Sequence, residues 1–248
     1  MERLKRHGLR LLVAVCLGAS AAAAWAALYY YRAQSELRLD PLQLAYYARV
    51  SPPALAPGER RVVFFGDSRS LQWTPPRGLT GFQWVNRGIG HQTTAQALAR
   101  FDADVPKLKP DVVVLQVGVN DLKTLPLFPE REREIVQRAT RNLDALVTRS
   151  RELGAEVILV TIFPIGPVPL WRRPFWSDRV QAAVDELNAH LATLAGPGVR
   201  LLSADPVLLD ERRHMRAGYA LDHLHLAPAA YESINRERLI PLLRGAAN

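Results

Sequence analysis

At 248 residues, with 48% hydrophobic and 23% charged content, the chain is long enough for one domain with a sizeable core plus extensions. Its single cysteine, Cys16, excludes a disulfide framework and any CxxC-type zinc or redox site. Half of the net charge of +8 comes from Arg3, Lys5, Arg6, Arg10 and Arg32 against Glu2 alone; the rest is scattered without a basic stripe, which argues against nucleic acid as a partner.

The chain opens with a basic flank, MERLKRHGLR, followed by LLVAVCLGASAAAAWAALYYY, an uncharged run from residue 11 to residue 31. As a helix that run would be about 31 Å long, enough to cross a bilayer. The flank predicts an N-in orientation, and Tyr29, Tyr30 and Tyr31 before Arg32 read as an interfacial belt. The expectation is therefore an uncleaved signal anchor over 1–31, with the remainder facing the periplasm from the inner membrane. A cleavable signal ending near Ala21 or Ala26 is the competing reading, because both sites carry the small residues of a cleavage site; the apolar character that continues past them to the tyrosines speaks for the anchor. Residues 32–60 read as a spacer, closed by the proline-rich SPPALAPGER.

From residue 61 the pattern alternates between strand and helix. RVVFF (61–65), FQWVN (82–86), DVVVLQVG (111–118), EVILVTIF (156–163) and VRLLSA (199–204) are short apolar runs that suit a doubly covered parallel sheet. Between them, Val136, Ala139, Leu143 and Leu146 form one helical stripe, stopped by Gly154. Val180, Val184, Leu187, Leu191 and Leu194 form another, with Ser177 as N-cap. A last helix is expected from Pro228, turning Tyr231 and Ile234 inward. The proline-rich FPIGPVPLWRRPFW (163–176) reads as a loop at the functional end of a strand. The predicted domain, 61–248, is a three-layer α/β/α sandwich.

Four blocks follow strand ends or precede the last helix. The first is Gly66-Asp67-Ser68, where a hydroxyl either caps a helix or serves as a nucleophile. The second, NRGIGHQTT (86–94), lacks the third glycine of a dinucleotide fingerprint, so no cofactor is expected. The third is Gly118-Val119-Asn120-Asp121. The fourth, Asp222-His223-Leu224-His225, reads from its residue types as a metal cluster or a helix cap.

In this order and spacing the blocks resemble the SGNH hydrolases, the GDSL-type esterases and lipases. The resemblance covers the chain from about residue 60 onward. It implies a flavodoxin-like five-stranded sheet and a serine acyl hydrolase needing no metal. Ser68 would be the nucleophile, His225 the general base and Asp222 its orienting carboxylate. Asn120 and the backbone N–H groups of Ser68 and His91 would receive the oxyanion. His91 stands where the family has glycine, and Arg69 stands in the leucine position of the family name. The substrate class implied is an acyl ester of the cell envelope, lipid or acetylated polysaccharide. Acyl transfer to a sugar by the same residues, or a non-catalytic binding module on the same fold, are the alternatives.

Overall fold

The computed structural model describes residues 2–245, which form a short N-terminal unit ending at Ala45 and a larger unit beginning at Tyr46. The first is dominated by α1 (Glu2–Leu39). It runs beyond Tyr31 because the following residues contain neither glycine nor proline, and it stops where Pro41 disfavours helix at Asp40. The Asp40 carboxylate then accepts the N–H groups of Leu44 and Ala45. Among the described residues α1 is the one helix long and apolar enough to cross a membrane, over Arg6–Leu39.

In the second unit the strands appear where the apolar runs predict them. In chain order the elements are β1 (Arg60–Gly66), α2 (Ser68–Leu71), β2 (Phe82–Gly88), α3 (Thr94–Asp104), β3 (Val112–Gln116), α4 (Val119–Leu122) and α5 (Glu132–Glu152). They continue with β4 (Glu156–Val160), α6 (Arg179–Thr193), β5 (Val199–Leu202), α7 (Asp205–Leu208), α8 (Pro228–Ile234) and α9 (Ile240–Gly245). The strands form one parallel sheet in the order β2-β1-β3-β4-β5, the flavodoxin-like order.

Strand side chains alternate, so each strand feeds two cores. Phe65, Val113, Leu115, Val157 and Leu159 pack under α3, α5 and α6, against the two predicted helical stripes. Val62, Phe64, Val112, Val114, Ile158 and Val160 pack under α8 and α9. In that second layer Trp73 is buried among Phe64, Phe163 and Tyr231, and its Nε1 donates to Asn235 at 2.8 Å. The chain crosses from β1 to β2 on one side and returns to β3 on the other. The crevice at the carboxyl ends of β1 and β3 is where such sheets bind ligands.

Two details differ from the sequence expectation. Leu170–Phe175, inside the run read as a loop, forms a 3-10 helix with Pro174 in it, which is tolerated because so short a helix leaves few N–H groups to pair. Ser177 sits one residue before the N-cap position, Asp178, yet its Oγ accepts the Arg179 N–H at 3.2 Å. In addition, the stretch 47–54 is tied to the sheet. Tyr47 is buried under the Arg87 guanidinium and donates to the Gly88 carbonyl at 2.6 Å, while Arg87 Nη2 donates to Val50 O. Pro53 O receives both Arg61 and Gln83.

Candidate active site

β1 is buried up to Gly66, whose φ of 153° frees the chain to turn; a Cβ there would lie 1.8 Å from the Gln116 carbonyl oxygen. Asp67 then caps α2, its Oδ1 accepting the Arg69 N–H at 2.9 Å. Complete burial pushes the Asp67 carboxyl up to about 6. Capping thus falls to Asp67 and not to Ser68. The Ser68 hydroxyl instead meets His225 Nε2 at 3.0 Å.

The loop before α8 presents His225. Asp222 Oδ1 accepts the N–H groups of Leu224 (2.6 Å) and His225 (2.7 Å), and Oδ2 faces His225 Nδ1 at 2.8 Å. Partial burial alone would raise the Asp222 carboxyl. The bonds from the His225 ring and these two N–H groups outweigh it and hold the pKa below the usual carboxylate value. Ser68, His225 and Asp222 are therefore brought into one hydrogen-bonded row. His223 is buried with its ring edge-on to Trp176, 5.0 Å between centroids. Among the described residues no group of three His, Cys, Asp or Glu is placed to hold a metal ion.

Arg69 ties the nucleophile turn to this loop. Its side chain is wholly buried, Nε donates to Leu224 O (2.8 Å) and Nη1 to Phe163 O (3.0 Å), and the guanidinium lies over the Phe163 ring. Tyr231 donates to the Arg69 carbonyl at 2.9 Å. Motif reading passes over this residue. The available signal is an arginine at a position beside a buried strand end, where burial demands partners.

The other side of Ser68 is built from backbone. Asn86 donates to Ser70 O and accepts the Gly88 N–H, and the Ile89 N–H closes on Gly66 O at 3.0 Å. At Gly88 a Cβ would lie 2.2 Å from the Leu71 N, so this approach to α2 requires glycine. His91 follows with φ 63°, the left-handed geometry that the glycine position implies. Its ring is held below the ordinary histidine value by desolvation, then by the charges of Lys123 and His225. Buried Asn120 lies in the first turn of α4, and its Nδ2 donates to Gln92 O at 3.0 Å.

Two buried groups outside the predicted set hold this half. Asp121 accepts both the N–H and the hydroxyl of Thr94 at 2.8 Å, joining α4 to the start of α3. Arg100 donates through Nη2 to Gly66 O and Arg87 O, both at 2.9 Å, and through Nη1 to Asp104 at 2.8 Å. Its Nε reaches Gln92 Oε1, and its guanidinium lies 4.2 Å over the Phe65 ring. One cation thereby fixes the ends of β1 and β2 against each other.

The chain is 34% identical over 145 residues to an uncharacterised lipoprotein of Bacillus subtilis, an alignment covering 52% of this chain and 59% of that protein. It is 33% identical over 88 residues to an acetylxylan esterase of Geobacillus stearothermophilus, covering 34% and 40%. It therefore spans from 40% to 59% of the length of these curated relatives. The fold matches the crystal structure of a GDSL-like lipase from Bacteroides thetaiotaomicron with a TM-score of 0.63 at 22% identity, over 84% of this chain and 99% of that one. Residues 64–232 match the GDSL-like lipase/acylhydrolase family, and the chain belongs to that family.

Proposed function

We propose that the protein is a serine acyl-ester hydrolase in which Ser68, His225 and Asp222 form the catalytic triad. The observation that carries this reading is the unbroken row from Ser68 Oγ through His225 to Asp222, at 3.0 and 2.8 Å. A serine hydroxyl is a weak nucleophile until a base takes its proton, and His225 Nε2 is within reach to do so. Asp222 fixes the ring tautomer and stabilises the imidazolium that forms.

As Ser68 Oγ bonds to the ester carbonyl carbon, its proton passes to His225 and the carbonyl oxygen becomes an oxyanion. The free hydrogen of the Asn120 amide and the N–H groups of Ser68 and His91 are its assigned donors. Collapse breaks the bond to the alcohol, which leaves with the proton from His225. Water, deprotonated by the same ring, then attacks the acyl-enzyme, releases the acid and restores Ser68. The acetylxylan esterase among the relatives favours short acyl groups on a carbohydrate as substrate. The apolar α1 with its basic flank supports a membrane anchor with the hydrolase unit outside the cytoplasm, and one relative is a lipoprotein.

The deciding experiment treats the full chain with a fluorophosphonate and maps the adduct by mass spectrometry, alongside hydrolysis of p-nitrophenyl acetate without added metal. Label on Ser68 and loss of both signals in Ser68→Ala are expected. Chelator-sensitive hydrolysis that survives in Ser68→Ala would overturn the reading.

A further inference from the structure

Exposed apolar surface is spread unevenly over the second unit. Among the described residues, its most exposed large apolar side chains are Leu127, Leu170, Trp171, Phe175 and Leu221, at 62% to 75%. All five lie on connections that leave the carboxyl ends of strands. Leu127 follows α4 after β3, and Leu170, Trp171 and Phe175 belong to the 3-10 helix after β4. Leu221 precedes Asp222 on the loop that brings His225 to Ser68. Toward the amino ends, Leu55 and Leu153 are only 38% and 37% exposed. Single apolar groups on a surface need no explanation, but a set confined to the end that holds the site marks an interaction surface.

The 3-10 helix is fastened to the site. Arg172 lies 5.8 Å from the Trp171 ring centre and 6.0 Å from that of Trp176, which meets His223 edge-on at 5.0 Å. Upstream, the Gly166 N–H donates to His223 O at 3.0 Å, and a Cβ on Gly166 would lie 2.8 Å from Asp222 O. Leu170, Trp171 and Phe175 are thus carried by a segment packed on the loop of Asp222 and His225.

The chain from α1 enters the second unit at this same end. Tyr47 donates to Gly88 O at the carboxyl end of β2, whereas Pro53 and Ala54 accept from Gln83 near its start. The strap therefore runs down the edge strand from its carboxyl end. Between Tyr31, the last residue of the uncharged run, and Tyr47 lie residues 32–39 of α1 and residues 40–46. Even with 40–46 fully extended that leash is about 40 Å, comparable with the width of a unit of this size. Attached where it is, it keeps the apolar end within reach of a bilayer that α1 crosses. Leucine and phenylalanine suit acyl chains better than a sugar, which asks for hydrogen bonds, and Arg172 and Arg173 between them suit headgroup phosphates.

We propose that the 3-10 helix Leu170–Phe175, with Leu127 and Leu221, docks the active-site end of the hydrolase unit on the surface of the membrane that α1 anchors. The proposal rests on the anchor reading above. It narrows the substrate to an ester carried by a membrane amphiphile, with the acyl group to be removed held at headgroup level.

The test reconstitutes the full chain, carrying Cys16→Ser, into vesicles of phosphatidylcholine and phosphatidylglycerol. A spin label is placed at Trp171→Cys or Phe175→Cys, with a control at Leu153→Cys. Depth measurement with oxygen and a water-soluble nickel chelate should place both rim labels about 5–10 Å into the headgroup–acyl boundary and the control in water. Hydrolysis of vesicle-held dioleoyl-acetylglycerol, relative to p-nitrophenyl acetate in the same sample, should fall roughly tenfold when Leu170→Ser, Trp171→Ser and Phe175→Ser are combined. That is the scale of withdrawing one large apolar side chain from lipid. Rim labels in water overturn the docking surface, and an unchanged ratio overturns the membrane-held substrate; either leaves the esterase standing. Dipolar broadening between rim labels that vanishes on dilution with unlabelled chain assigns the face to a second copy and overturns the proposal as well. Either rim label decides if the other variant misfolds. Release of the chain from vesicles by carbonate removes the anchor reading and this proposal with it. Rim labels in lipid without a fluorophosphonate adduct on Ser68 remove the esterase reading and uphold the docking surface.

Discussion

The two flanks of Ser68 are built in opposite ways. On one side, side chains meet directly: Ser68, His225 and Asp222 touch in a row, and Arg69 bolts their loops together. On the other, the proposed oxyanion donors are mostly main chain, and buried side chains bonded to backbone groups hold that main chain in place. Arg100 grips Gly66 O and Arg87 O, Tyr47 grips Gly88 O, and Asp121 grips Thr94. A side-chain site is broken by deleting the functional group. A backbone site is broken only by moving the chain, so its weak points lie elsewhere.

The comparison is sharpest at the triad. Ser68→Ala and His225→Ala should each lower kcat by about 10⁴-fold or more, and the double variant should be no slower, because the pair acts in one step. Single-turnover kinetics on p-nitrophenyl acetate measures this. Losses that multiply in the double variant would separate the two residues into different steps. Asn120→Ala deletes the one side-chain donor on the backbone flank and should cost roughly 10²- to 10³-fold in kcat with little change in KM.

This division also explains what was legible in the sequence. Strands are legible because burial on both faces enforces unbroken apolar runs such as VVFF and VVVL. The Gly-Asp-Ser, Gly-Val-Asn-Asp and Asp-His-Leu-His blocks are legible because each sets its residue types at short spacing, and the structure brings Ser68, His225 and Asp222 within hydrogen-bond distance. Tyr47, Arg69 and the Nη2 of Arg100 are not, since the carbonyls they grip lie 13 to 155 positions away, with no spacing rule; the Arg100–Asp104 pair does have helical spacing, but that spacing says nothing of the strand ends it serves. Nor could the residues before β1 be read as anything but a spacer, because a strap held by Tyr47, Pro53 and Ala54 has no period. The 3-10 turn inside the 163–176 run was hidden for the opposite reason: its prolines signal irregularity, which a six-residue helix tolerates.

Supports on the two flanks should fail differently. Arg69→Met orphans Leu224 O and Phe163 O, with an expected stability loss of about 1–3 kcal/mol. It should lower kcat because the His225 loop loosens, while the affinity for a bound product stays near wild type. Arg100→Met leaves Asp104 buried without its cation and should cost about 3–5 kcal/mol, the larger folding penalty. Urea titration and kcat together separate them. If Arg69→Met lost only stability, its role would be packing and not the positioning of His225.

Asp67 supplies a pH test of the turn between the flanks. Its carboxyl sits at about 6 when folded against an ordinary 3.8, so the folded chain binds the proton more tightly. The stability this contributes is fully present below 3.8 and lost as pH rises through 6. Asp67→Asn keeps the acceptor for the Arg69 N–H but cannot titrate. Its melting temperature should vary less than that of the wild type between pH 4 and 6.5; an unchanged slope would place the titration elsewhere.

The smallest expected effect is the most informative about the backbone flank. His91 sits at φ 63°, a conformation costing a non-glycine residue about 1–2 kcal/mol, which glycine avoids. Glycine also makes the unfolded chain more flexible, by roughly 0.5–1 kcal/mol, so the two terms nearly cancel in stability. If His91 acts through its N–H, His91→Gly keeps the donor and the angle, and kcat should stay within about twofold of wild type or rise. His91→Val keeps the N–H but resists the left-handed angle, so it should lose about tenfold or more as the loop shifts. A glycine variant as damaged as Asn120→Ala would mean that the imidazole itself donates, and this flank would then be built from side chains like its neighbour.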